Sequence, residues 1–245
     1  MWTVSQDYED IIAGDNHYFE YSLCFGDTQP DNGIREESLF SLTCEYKMFN
    51  TEQPSVSGCL SAELNASMLL PDFDIPRMAK VRPYVRVANN TQHSEWIPQG
   101  VFYIDTRTVT ANNDDLDTLT IHAYDTMMKT EADYPSTSHD WPMLDIDVVE
   151  EIAGTIGVGI DSRTYDVLTK EYEIGLPAGY SMREVLSSIA AMYAGNWVMN
   201  YAGELLFIML NGIPAETNLL IDHGYNPISF GYFSEDDPEE VTIRV

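Results

Sequence analysis

The chain has 245 residues and a mass of 27.7 kDa, which sets a prior of one or two domains. Hydrophobic residues make up 44% and aromatics 11%, enough for a real core, so a wholly disordered chain is excluded. Twelve Lys+Arg against 40 Asp+Glu leave a net charge of −28, which excludes nucleic-acid binding by counterion release and speaks against an anionic membrane surface. It does not exclude a wall past which DNA slides without sticking.

The N-terminus, Met1 to Asp15, is polar and acidic. It lacks the basic region and apolar run of a signal peptide, and no stretch approaches 18 consecutive apolar residues. The expectation is a protein made and folded in a cytosol. Cys24, Cys44 and Cys59 form no CxxC pair and are odd in number, so they read as buried thiols rather than a disulfide framework.

Period-two alternation dominates the first half. Phe40, Leu42, Cys44, Tyr46 and Met48 alternate with Ser41, Thr43, Glu45 and Lys47. Leu60, Ala62, Leu64, Ala66 and Met68 alternate with Ser61, Glu63, Asn65 and Ser67, predicting a strand with one apolar and one wet face. Val81, Val85 and Val87 are interleaved with Arg82, Tyr84 and Arg86. Val101 to Val109 is β-rich after Pro98 and Gly100, and Trp96 to Asp105 reads as a buried strand entered through a proline turn. Asn112 to Asp115 reads as a hairpin turn before a strand at Leu119, Ile121 and Ala123. Roughly six strands by residue 125 predict a barrel or sandwich-like β domain.

The pattern changes after Tyr134. Pro135 to Pro142 is linker-like, and a helix fits Asp145 to about Thr155, with Val148, Val149, Ile152 and Ile156 on one face and Gly154 or Gly157 to end it. Ser181 and Glu184 have the spacing of a capping box, with Tyr180 and Val185 placed for a hydrophobic staple. The helix begun there stops at Gly195, and Trp197 to Met209 reads as a hairpin. From Leu219 to Val245 the chain resumes β character around the acidic Glu235-Asp236-Asp237.

No constellation for chemistry stands out. Asp72 and Asp74, between Pro71 and Pro76, read as turn acids. Asn113 to Asp117 is dense in oxygen ligands but lacks the glycine of a calcium loop. The five histidines are scattered without HxxxH spacing. Gly154 to Gly159 comes after a helix, not a strand, so it is a helix stop rather than a phosphate cradle. There is no GxSxG. The residues therefore single out no catalytic, cofactor or metal site.

Glu95-Trp96-Ile97-Pro98-Gln99-Gly100-Val101-Phe102-Tyr103-Ile104-Asp105 resembles a segment of the phage and prophage tail hub proteins of the Gram-positive prophage type. In the same order, Thr120 to Met128 is similar to that family's strand ending in A-x-D-x-(M/L). Gly179-Tyr180-Ser181-Met182-Arg183-Glu184-Val185-Leu186 resembles its G-Y-(T/S)-x-R-E-V-L helix start. Gly195-Asn196 and Gly203-Glu204-Leu205 are similar to the family's G-x-N and x-G-x-L positions beyond that helix. The resemblance spans about residues 20–210.

The resemblance implies a mainly β, α+β fold: an N-terminal tube-type β domain over 1–134, a small α+β domain with two helices and a hairpin over 135–212, and from 213 to 245 a further β segment or a return to the first domain. It implies a non-enzymatic structural protein of the virion tail, without cofactor or metal, assembled in the bacterial cytoplasm. Such a protein forms a homo-oligomeric ring, a trimer, at the tail tip or baseplate. It joins the tail tube and distal tail proteins to fibres or the tape-measure protein, and DNA passes it without adhering; no membrane partner is implied. An acidic lumen suits that passage. The alternatives are a receptor- or carbohydrate-binding tail module and a cell-wall hydrolase.

Overall fold

The computed structural model describes residues 4–49, 55–111, 117–135 and 140–210. In chain order the elements are α1 (Gln6–Ile12), β1 (Tyr18–Phe25), β2 (Leu39–Glu45), β3 (Gly58–Cys59), β4 (Glu63–Leu69), β5 (Lys80–Ala88), β6 (Ile97–Pro98), β7 (Phe102–Thr110), β8 (Thr118–Asp125), β9 (Met143–Leu144), α2 (Asp145–Ile156), α3 (Ser162–Val167), β10 (Glu173–Ile174), α4 (Met182–Tyr193), β11 (Gly195–Met199) and β12 (Leu205–Met209). The class is mixed α+β and mainly β, as the sequence implies.

The first core is an antiparallel sheet in the order β1-β5-β7-β8-β4-β2, with β6 pairing on β5. Alternation explains it. Leu64 opposes Ala123, Ala66 opposes Ile121 and Met68 opposes Leu119, and all six are buried. Leu23, Val81, Phe102 and Ile104 complete the same core. Burying each large apolar side chain contributes roughly 1.5–3 kcal/mol. The two end strands, β1 and β2, have no strand on their outer side among the described residues. The sheet curls until Phe19 and Tyr21 of β1 and Leu42 and Cys44 of β2 line one cleft of about 300 Å³.

The second core packs α2 and α4 on a small sheet ordered β12-β11-β3. The capping box forms as its spacing predicts: Ser181 Oγ accepts from the Glu184 N–H at 3.2 Å, and the Ser181 N–H donates to the Glu184 carboxylate at 2.7 Å. Trp197 is fully buried, donates its indole N–H to the Leu186 carbonyl at 2.9 Å and packs edge-on against Phe207.

Several expectations need correction. The alternating run at Leu60 does not form one strand. Gly58–Cys59 joins the second sheet, parallel to β11, and only Glu63–Leu69 belongs to the first. Backbone groups at Leu60 and Ala62 bond instead to the Trp197 carbonyl and the Asp125 carboxylate. Gly157, with φ +79°, ends α2, while Gly154 lies inside the helix. Ala194, not Gly195, takes the left-handed position after α4. Gly195 is required for packing: a Cβ there would lie 2.4 Å from both the Ile208 carbonyl and the Phe207 ring. Val185 is buried but Tyr180 is 56% exposed, so the expected staple partner faces solvent. Trp96 is not buried in a strand. It sits half-exposed before β6, with the Arg86 and Arg35 guanidinium groups 4.2 and 5.4 Å from its ring centroid. The Asn112–Asp115 turn, positions 136–139 of the linker and the Leu219–Val245 segment lie outside the described residues.

Candidate functional site

The two cores meet at Cys59–Ala62 and at Asp125–Met127, where the chain passes from one to the other. Three side chains hold this joint, each from a segment that carries the resemblance. Asp125 ends β8 and accepts the N–H of Ala62 at 2.8 Å and that of Met127 at 3.0 Å. Arg183, in the first turn of α4, donates to the Cys59 carbonyl at 2.6 Å, the Met127 carbonyl at 3.1 Å and Ser61 Oγ at 3.2 Å. Asn196 of β11 accepts the Gly58 N–H at 2.8 Å and donates to the carbonyls of Ser55 at 2.7 Å and Met48 at 3.1 Å. Backbone groups at a crossing have no ladder to complete, so side chains complete them. Burial pushes the Asp125 carboxyl up to about 7, against the two N–H bonds and the Arg183 charge, which pull it down.

Beside the joint lies a cavity of about 570 Å³. Leu60, Ala62, Ile97, Met199, Leu206 and Ile208 supply apolar wall, and Tyr46, Trp96 and Tyr201 supply aromatic wall. Tyr46 and Tyr201 meet edge-to-face at 5.2 Å, and the Tyr46 hydroxyl donates to the Gln99 carbonyl. The charged groups at its rim are mostly compensated. Lys47 pairs with Glu63 at 2.5 Å and holds that carboxyl below its usual range. Arg163 donates to both oxygens of Asp161, at 2.9 and 2.6 Å, and holds it well below the carboxylate range. Glu95 differs: it accepts from the Ser5 N–H and hydroxyl, and among the described residues no cation pairs with it.

The cleft between β1 and β2 is the other open feature. Tyr18, Phe19, Tyr21 and Phe40 on these strands, with Tyr46 and Met48 just after β2, are large apolar side chains left exposed. Soluble surfaces carry scattered apolar residues; here they are concentrated beside the two end strands of the sheet, of which β1 is bridged on its outer side by Ile34 at Leu23.

The residues singled out from sequence do not converge. Asp72 and Asp74 are exposed, with Asp74 3.8 Å from Arg107. Cys24 belongs with β1 in the first sheet and Cys59 in the second core; burial pushes the Cys44 and Cys59 thiols up to about 11, which keeps them protonated. Among the described residues no three His, Cys, Asp or Glu side chains gather as a metal site, and no helix is long and apolar enough to cross a membrane. Sequence reading missed the joint because its parts are up to 148 positions apart. The signal available was that three separated motif segments each carry one polar residue, Asp125, Arg183 and Asn196, although Asp125 also caps the turn at Thr126–Glu131.

No family model matches the chain, and no curated protein matches it. Among solved structures it is similar to the 43 kDa tail protein of prophage MuSo2 from Shewanella oneidensis, at 12% identity and TM-score 0.48, over 78% of this chain and 56% of that one. It is similar to a tail protein from Neisseria meningitidis MC58 at 12% identity and TM-score 0.48, over 77% and 50% of the two chains. A third is prophage tail protein gp18 from Listeria monocytogenes EGD-e, at 9% identity and TM-score 0.44, over 76% and 50%. The chain thus spans about half the length of these structures.

Proposed function

We propose that this protein is a non-enzymatic structural component of a phage or prophage tail, the hub at the tail tip or baseplate. It assembles as a homo-oligomeric ring between the tail tube and distal tail proteins on one side and fibres or the tape-measure protein on the other. The observation that carries the reading is the pair of end strands: β2, and the Tyr18–Tyr21 half of β1, have no strand on their outer side among the described residues and are flanked by exposed aromatic side chains, while Ile34 bridges β1 at Leu23. A free edge offers a row of unpaired N–H and C=O groups, and a neighbour's strand completes it. Pairing β1 of one copy with β2 of the next is heterologous and closes into a ring when the rotation permits. The ordered motifs support the same reading, since their polar residues build one joint. A net charge of −28 keeps DNA from adhering as it passes.

The test is electron microscopy and mass measurement of the purified full chain. A ring of fixed subunit number is expected. Phe19→Lys with Phe40→Lys places charge at the two exposed edges, and the doubly substituted chain is expected to fold but remain monomeric. A wild-type protein that stays monomeric across micromolar concentrations, alone and with its tail-tube partner, would sink the ring.

A further inference from the structure

The outer edge of β1 is open over one half and closed over the other. Phe19, Tyr21 and Leu23 stand opposite Val87, Val85 and Pro83 of β5. Pro83 has no N–H, and the Val87 N–H and carbonyl are bonded to Ser94 on the far side of β5, at 3.1 and 2.8 Å. Opposed pairs in an antiparallel ladder alternate between bonded and non-bonded, so the N–H and C=O groups of Phe19, Tyr21 and Leu23 all point away from β5. At Leu23 they are taken: Leu23 and Ile34 exchange two backbone bonds, each of 2.9 Å.

The segment that supplies Ile34 is fitted to this edge. Ser22 is buried beneath it and donates its hydroxyl to the Pro30 carbonyl at 2.6 Å. Gly33 approaches so closely that a Cβ there would lie 2.2 Å from Ser22 Oγ, 2.9 Å from Cys24 Sγ and 3.0 Å from the Leu23 carbonyl. Asp31 accepts the Trp96 indole N–H at 3.0 Å and the Arg35 guanidinium at 3.1 Å, which ties the segment to the chain before β6. Ile34 also packs on the first core. A loop that only covered that core would need the Ile34 side chain; this one also takes the backbone groups of the edge itself.

We propose that the Pro30–Arg35 segment is a strand stop: it confines the β2 strand of a second copy to the Phe19–Tyr21 window of β1 and so fixes the register in which copies join. A strand added to an open edge can slide by two residues and still present the same faces, because side chains repeat every second position. A window that ends at Leu23 removes that freedom, and it also denies the edge to longer, non-specific strand pairing. The inference rests on the ring reading for the identity of the neighbour; the closure of the edge at Leu23 does not.

Amide exchange and electron microscopy of the full chain test it. Gly33→Val puts a side chain where none fits, and Asp31→Ala, an exposed position, removes the tie to Trp96 and Arg35 without touching the core. Each is expected to speed exchange at the Leu23 and Ile34 amides about fivefold or more, as the loss of one net hydrogen bond would. Each is also expected to turn assemblies of one subunit number into a broad mixture. Tyr21→Pro removes an outward N–H and no bond of the β5 ladder, so adding it to Gly33→Val is expected to return the chain to monomer. Freed Leu23 and Ile34 amides in assemblies as uniform as wild type would overturn the proposal. So would amides that stay protected in both variants, or association that survives Tyr21→Pro. Wild-type rings, with rings of the same number in both variants, would remove the stop and leave the ring reading standing. A wild type that stays monomeric beside a Gly33→Val chain that associates through β1 would do the reverse.

Discussion

The two cores solve the same burial problem differently. The α+β core is closed on itself: a capping box starts α4, Trp197 is buried with its indole N–H bonded, and the Asp145 carboxylate accepts the Tyr193 hydroxyl at 2.5 Å deep inside. The β core buries one face as thoroughly, yet among the described residues β2 and the first half of β1 have no strand on their outer side and carry aromatic side chains in solvent; only Leu23 of β1 is bridged there, by Ile34. A helix satisfies its own backbone within one segment, so a small helical unit can finish itself. A sheet that does not close leaves a row of donors and acceptors at each end. The difference shows where this protein is complete and where it is ready for a neighbour.

Substitutions can break that contrast, starting with its most self-contained member. Trp197→Ala removes the largest fully buried side chain and its hydrogen bond, and is expected to cost about 3–5 kcal/mol in urea unfolding. If the α+β core is the closed unit, loss of its near-UV signal precedes loss of sheet signal in this variant. Arg183→Ala strips the joint of three charge-assisted bonds and leaves the Cys59 and Met127 carbonyls without that donor, an expected loss of about 2–3 kcal/mol. Its diagnostic is a single thermal transition splitting into two. Ser181→Ala removes one side of the capping box and is expected to cost about 1 kcal/mol, confined to the α+β core and visible as faster amide exchange at the start of α4.

The joint also predicts a pH dependence. Asp125 titrates near 7 in the fold against an ordinary 3.8, so the folded state holds its proton more tightly than the unfolded chain. Its contribution is fully present below about pH 3.8 and is lost as pH rises through 7. Asp125→Asn removes this slope. The stability of wild type relative to that variant is expected to fall between about pH 3.8 and pH 7 and to level off above that. A flat difference across that window would show the carboxylate to be as well solvated as a surface group.

Much of this architecture is legible in the chain. Strict alternation placed β4 and β8, and Ser181 with Glu184 placed the start of α4, because periodicity and caps act within a few residues. Local rules failed where distant segments compete for the same backbone. Residues 60–62 alternate like the strand after them, but the Trp197 carbonyl takes the Leu60 N–H, and Asp125 takes the Ala62 N–H. Gly195 looked like a helix stop; its real constraint is the Phe207 ring and Ile208 carbonyl across the hairpin. Helix α1 and the short α3 carry too few apolar positions to announce themselves.

By itself the sequence determined the class, the acidity, the alternating strands β2, β4, β5, β7 and β8, the helices α2 and α4, and which of their faces are apolar, since these depend on neighbours within a turn or a pleat; β1 was not among them. Only the tertiary structure decided that Asp125, Arg183 and Asn196 form one joint, that a cavity opens beside it, and that β1 and β2 are the end strands of the sheet. Those outcomes depend on which distant backbone groups find each other, and burial and hydrogen-bond completion settle that only once the whole chain is folded.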